Sequence, residues 1–198
     1  MSDLDHIIEI AMSNQNMFKT KMIVDAGIRK ENIKVLLDNG RVKRIGPGYY
    51  ALTDSFVDRY YELQQRCTKG IYSFGTAAYF WGLLDKNPEK IECTFPRGYN
   101  ASRLNLRFDT KFHFAPEEAY QMGITEMKSP LGSLVKVYDK EKVVCDFIKY
   151  KSRCDIRIWG TVLNNYFKRR DKDLKRLIKY AKTYQIIDEL EMYVELLQ

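Results

Sequence analysis

A chain of 198 residues with 45% apolar and 30% charged side chains has the makings of one large or two small folded domains, which excludes disordered, fibrous and repeat architectures. Its start, Met1 to His6, is acidic, and no run of about 18 apolar residues occurs, so neither a signal peptide nor a membrane span is expected and the cytoplasm is the expected location. The formal charge of +7 is concentrated in two places: residues 19–49 hold eight basic and three acidic side chains, residues 168–182 hold eight basic and two acidic, and the last sixteen residues carry four acids and no base.

In chain order, Leu4, Ile7, Ile8, Ala11 and Met12 recur at helical spacing behind Asp3 and predict a helix ending near Ser13-Asn14. Thr20 is the candidate N-cap of a second, short helix holding Met22, Ile23 and Ala26. Gly27 then breaks the chain, and Ile28 leads into a third helix ending at Asn39-Gly40. Met22, Ala26, Ile28, Ile33 and Leu36 fall where a helix-turn-helix needs small or apolar residues; Ile23 departs from that pattern, because a small residue is usual at the closest approach of the helices. Arg41 to Leu52 reads as two short strands around Gly46-Pro47-Gly48, which supplies a wing.

Three helices and a basic hairpin in this order predict a winged helix-turn-helix over residues 1–52, with double-stranded DNA as partner. Arg29, Lys30, Asn32 and Lys34 belong on the exposed N-terminal half of the third helix, where they reach base edges or phosphates, with Thr20 and Lys21 alongside at the start of the second. Arg41, Lys43 and Arg44 belong on backbone or minor groove. The same pattern also fits a solvated charged face or a protein-docking module.

Residues 53–70 read as a connecting helix (Thr53 to Thr68), capped by Thr53 or Ser55 and ended by Lys69-Gly70. Residues 71–198 read as a second domain: an apolar helix from Ser73 to Leu84, then strands at Lys90–Phe95, Lys111–Ala115, Ile124–Lys128 and Ser133–Val137. Helices follow at Lys140–Lys151, Asp155–Phe167, Asp171–Thr183 and Gln185–Leu197. Strands first and helices later predict an α+β chain, an N-terminal winged helix followed by a mixed α/β domain that ends in several helices. In the third of these helices Leu174, Leu177, Ile178 and Ala181 form the expected buried stripe, while Lys168, Lys172, Lys175, Lys179 and Lys182 line a separate face. That ridge, with Arg169, Arg170 and Arg176, reads equally as a nucleic-acid surface or a solvated side. Arg97, Arg103, Arg107 and Lys111 bracket a loop with the same two readings.

The residues Gly27-Ile28, Leu36-Leu37, Gly40, Arg44-Ile45 and Gly48-Tyr49-Tyr50, then Ser73 to Ala78 with Gly82-Leu83, are followed by Thr94 to Tyr99, Gly123 to Glu126 and Ser129 to Gly132. Val137 to Lys142 with Cys145-Asp146, and Lys172-Asp173-Leu174, complete a series that runs nearly end to end. In that order the chain resembles the AbiEi antitoxins of type IV toxin-antitoxin systems, used in abortive infection against phage. The resemblance implies an N-terminal winged helix that binds inverted repeats in its own promoter and represses it. It also implies a C-terminal domain that counteracts a partner nucleotidyltransferase toxin without a stable complex.

A nucleotidyltransferase needs a Gly-Ser motif followed by paired aspartates that hold magnesium. Here Gly132-Ser133 is followed by Leu134-Val135-Lys136, and Asp3/Asp5 and Asp171/Asp173 sit at predicted helix starts, where carboxylates favour the dipole. The rival enzyme reading is a metal-dependent nuclease built on Asp109, Glu126 and Lys128. A ligand-responsive regulator is the other alternative. Cys67, Cys93, Cys145 and Cys154 form no C-x-x-C pair and read as free, mostly buried thiols, with only His6 and His113 to help them bind zinc. His113 has no carboxylate nearby in sequence to suggest a catalytic pairing. No metal, cofactor or catalytic residue is expected.

Overall fold

The structure is a computed structural model that describes residues 2–101, 104, 106 and 108–197. Ser2 caps the first helix, α1 (Asp3–Ser13), by accepting from the Asp5 N–H. Gln15 and Asn16, both left-handed, turn the chain into a short strand β1 (Met17–Lys19), and α2 (Thr20–Asp25) follows directly. Thr20 is the first residue of α2 and not its cap; Lys19 holds that position and makes no side-chain cap bond. Gly27, at φ +76, turns the chain towards α3 (Glu31–Asp38), which begins three residues later than expected and leaves Arg29 and Lys30 in the lead-in. The strands β2 (Val42–Gly46) and β3 (Tyr49–Leu52) complete an antiparallel sheet of order β1-β3-β2.

Ile7, Phe18, Ile23, Ile33, Leu36 and Val42 close a small core between the three helices and one face of that sheet. Ile23, the residue that departed from the helix-turn-helix pattern, is fully buried there. The opposite face carries Met17, Ile45 and Ala51 against Val57 and Tyr61. The Tyr61 hydroxyl donates to Asn14 Oδ1 (2.5 Å), the Tyr49 hydroxyl to the Gln65 carbonyl (2.8 Å), and Arg66 to the Ile45 carbonyl (3.3 Å).

The connecting helix α4 (Arg59–Arg66) is shorter than the expected span because Asp58, not Thr53 or Ser55, accepts from the Tyr60 and Tyr61 N–H groups. Its Tyr60 and Leu63, and Cys67 beyond it, belong to the larger core. Gln64 joins the second sheet through its side chain, donating to the Lys136 carbonyl and accepting from the Lys136 N–H.

The second sheet is mixed, with β4 (Ile71–Tyr72), β5 (Ile91–Pro96), β6 (Thr110–Ala115), β7 (Ile124–Lys128) and β8 (Leu134–Tyr138) in the order β6-β5-β4-β8-β7. Interspersed are α5 (Phe74–Phe80) and α6 (Glu117–Gln121), and after β8 come α7 (Lys140–Lys149), a single 3-10 turn (Lys151–Arg153), α8 (Ile156–Phe167), α9 (Leu174–Tyr184) and α10 (Ile187–Leu197). The expected mixed α/β chain with its helices last is what is observed. The two-residue β4, at the centre of the sheet, is too short to produce a period. Packed against α5, α8 and α9, α7 is buried from Glu141 to Ile148. Its charges are matched inside: Lys142 Nζ donates to both Asp146 oxygens (2.7 and 2.8 Å) and to the Tyr184 hydroxyl, which donates to Asp146 Oδ1 (2.6 Å). Among the described residues no helix is long and apolar enough to cross a membrane.

Candidate nucleic-acid interface

The inward residues Ile33 and Leu36 fix the rotation of α3 and turn Glu31, Lys34, Val35 and Asp38 to solvent. Arg29, Lys30 and Lys34 are exposed and have no side-chain partner among the described residues. In β2, Val42 faces the helical core and Ile45 the opposite side; alternation therefore puts Arg44 on the helix side of the sheet, where it is exposed and, among the described residues, reaches only the Gly46 carbonyl (3.3 Å). All four cations are exposed, and none forms an ion pair among the described residues.

The other expected contacts are committed within the chain. Asn32 donates to Asp3 Oδ2 (2.9 Å), which fastens α3 to the start of α1, and Lys43 Nζ donates to the Thr53 carbonyl (2.8 Å). Lys21 pairs with Asp25 (2.9 Å) and Arg41 with Asp5 (3.8 Å). Both pairs are exposed, so they hold the cations weakly and give them up readily to a stronger anion. The Asp5 carboxyl lies below its ordinary value mainly through the Ser2 hydroxyl and backbone N–H, with Arg41 a smaller cause. Thr20 is half-buried, its N–H donating to the Gly48 carbonyl. Val35, 41% exposed on α3, was not singled out in the sequence, although the inward positions of Ile33 and Leu36 on a helical wheel point it outward.

The lysine ridge breaks up. Since α9 starts at Leu174, Lys168 and Lys172 lie in the turn before it, and Lys172 donates to the Arg169 carbonyl (2.9 Å). Arg169 grips Asp171 through two bonds (2.7 and 2.9 Å), an arrangement that raises its own pKa and holds the Asp171 carboxyl far below its usual range. Arg176 lies 3.5 Å from both Asp139 and Asp173, and the Asp139 charge raises its pKa first of all. Lys175, Lys179 and Lys182 remain exposed along α9, without a partner among the described residues. The expected buried stripe is half right: Leu177 and Ala181 are buried, whereas Leu174 and Ile178 are 40% and 45% exposed, because α7 and α10, which pack against α9, leave that edge of the helix partly open. Arg97 is exposed; Arg103 and Arg107 lie outside the described residues.

The nuclease constellation is not assembled. Asp109 precedes β6 while Glu126 and Lys128 sit on β7, at the opposite edge of the sheet, about 19 Å away at ~4.8 Å per strand. Asp173 caps α9 by accepting from the Arg176 N–H, and Asp3 and Asp5 stand in the first turn of α1. The four cysteines are free, three of them buried, and burial pushes the Cys67 and Cys154 thiols up to about 11. His113 does have a carboxylate partner, Glu92 Oε1 at 3.1 Å, supplied by the neighbouring parallel strand and invisible in local sequence.

No family model and no curated protein matches this chain. Its fold is shared with a solved structure. The RV2827C protein from Mycobacterium tuberculosis superposes with a TM-score of 0.61 at 14% identity, over 91% of this chain and 71% of that one. At that identity the likeness is one of fold alone.

Proposed function

We propose that the N-terminal unit is a winged helix-turn-helix and that the chain is a cytoplasmic repressor of its own operon. By its resemblance to the AbiEi proteins, we further propose that it is the antitoxin of a type IV toxin-antitoxin pair, its second domain counteracting a nucleotidyltransferase toxin without a stable complex. The observation that carries the DNA reading is the set of exposed cations without an ion-pair partner among the described residues, Arg29, Lys30 and Lys34 at and before α3 and Arg44 on β2, which packs against α3. With α3 in the major groove, Lys34 and Val35 meet base edges, the valine matching a thymine methyl, while Arg44 and the β2–β3 hairpin rest on the phosphate backbone. A single copy makes few phosphate contacts, so two copies on inverted repeats supply the affinity needed at cellular salt.

The test is a gel shift of the full chain on its own promoter. Replacing Lys30, Lys34 and Arg44 by Ala is expected to abolish the shift with the circular-dichroism spectrum unchanged, and Lys34→Ala alone to flatten the slope of log affinity on log salt by about 1 per bound copy. A triple variant that still shifts the promoter sinks the DNA reading. The antitoxin half is tested by co-expression with the nucleotidyltransferase of the same operon: restored growth supports it, and continued toxicity in the presence of folded protein rejects it.

A further inference from the structure

A cavity of about 410 Å³ opens on the face of the second sheet that carries Glu92, Thr94, Lys111 and His113, roofed by α7, the 3-10 turn and Tyr184. That is the size of a small-molecule site. Its deepest charges, Lys142 and Asp146, neutralise each other and are 1% and 2% exposed. One wall is aromatic: the Phe74 ring stacks on His113 (centroids 4.0 Å, 25° between planes), and Tyr150 stands 6.0 Å from Phe74. Phe74 is held there at φ +46, a conformation that a side chain of its size adopts at a cost of about 1–3 kcal/mol and that concentrates at ligand sites.

Two further observations point to an occupant. Thr94, which lines the cavity, is 4% exposed and its hydroxyl has no hydrogen-bond partner among the described residues, a deficiency worth about 1–3 kcal/mol that a ligand or water can make good. Arg153 lines the cavity with its guanidinium 5.3 Å from the centroid of the Tyr150 ring, and Arg97 follows β5 with its N–H donating to the carbonyl of Ala115, a lining residue (2.7 Å); neither arginine is engaged in an ion pair among the described residues. Lys111, by contrast, is drawn to Glu92 at 3.2 Å. The uncompensated charge of the cavity is therefore positive and sits at one end, beside the aromatic wall.

We infer that this cavity binds a nucleoside monophosphate or an aromatic phosphate ester of that size, its planar ring against Phe74, His113 and Tyr150 and its phosphate between Arg97 and Arg153. The inference does not rest on the DNA reading, since every residue it uses belongs to the second domain.

Isothermal titration of the full chain with AMP and UMP, and separately with inorganic phosphate and adenosine, tests it. At least one nucleotide is expected to bind, with phosphate alone and nucleoside alone each weaker by about tenfold or more. Arg97→Ala and Arg153→Ala, both surface changes, are expected to weaken nucleotide binding by about tenfold each, and Thr94→Val to weaken it with the fold intact. A Lys34→Ala/Arg44→Ala protein is expected to bind nucleotide as well as the wild type. Absence of binding at about 1 mM nucleotide, affinity unchanged by both arginine substitutions, or affinity lost in the Lys34/Arg44 variant each overturns the inference.

Discussion

Glu92 gathers three partners from two elements, α5 and β6: the Gly75 N–H at 2.7 Å, His113 Nε2 at 3.1 Å and Lys111 Nζ at 3.2 Å. Burial pushes its carboxyl up, but His113, the Gly75 N–H and Lys111 together outweigh burial, and its pKa lies below the ordinary 4.5. A carboxyl with a depressed folded-state pKa stabilises the fold fully above its unfolded value, and that contribution fades as pH falls through the folded one. Glu92→Gln is therefore expected to be less stable than the wild type near pH 7, with the gap in urea midpoint closing below about pH 4.5. A gap that stays constant down to about pH 3 would show that ionised Glu92 contributes nothing. None of this was legible along the chain, because the register of β5 on β6 brings together residues 21 positions apart.

Gly123, between α6 and β7, shows how one backbone position docks two elements. It stands at φ +76, and a Cβ built there falls 2.7 Å from Lys142 Cβ and 3.1 Å from Asp139 Oδ1, both at the start of the buried α7. Gly132, in the β7–β8 turn, has φ +95 and nothing within 4 Å. Both alanine variants carry the left-handed backbone cost of about 1–2 kcal/mol, but Gly123→Ala must also displace α7, for a total of about 3 kcal/mol or more. Equal losses at the two sites in urea denaturation would mean that α7 gives way freely. At this scale the sequence was most readable where a period ran long: Ile124–Lys128 falls where expected, and α7 and α8 begin within a residue of their expected starts. It was least readable for β1 and β4, three and two residues long, whose strand character comes from their neighbours in the sheet. The exposed Leu174 and Ile178 mark the other limit, since helical spacing tells which residues share a face and not how much of that face a neighbour covers.

For the molecule as a whole, the helix expected to be a connector is part of the larger core. The Tyr60 ring meets Phe80 edge-on at 4.8 Å and Tyr72 at 5.6 Å, the Tyr72 hydroxyl donates to the Tyr60 carbonyl, and Leu63 is 1% exposed. Asp58, which caps α4, also accepts from the Ser129 hydroxyl (2.6 Å) of the β7–β8 turn. A fragment of residues 71–198 discards all of these contacts, and stripping a buried tyrosine and leucine from a packed core costs about 3–5 kcal/mol for the aromatic and 2–5 for the aliphatic residue, the scale of a domain's whole stability. A fragment of residues 56–198 keeps them and loses the junction with the small sheet, which exposes Val57, Tyr61 and Arg66 and removes the Gln15 partner of Ser133. The longer fragment is expected to unfold cooperatively in urea with intact near-ultraviolet circular dichroism, and the shorter to bind the dye ANS and lack a cooperative transition. Equal stability of the two would mean that α4 is dispensable to the second core. The longer fragment is accordingly the one in which to test the antitoxin proposal for the second domain alone, because a failure of the shorter one reports first on the missing helix.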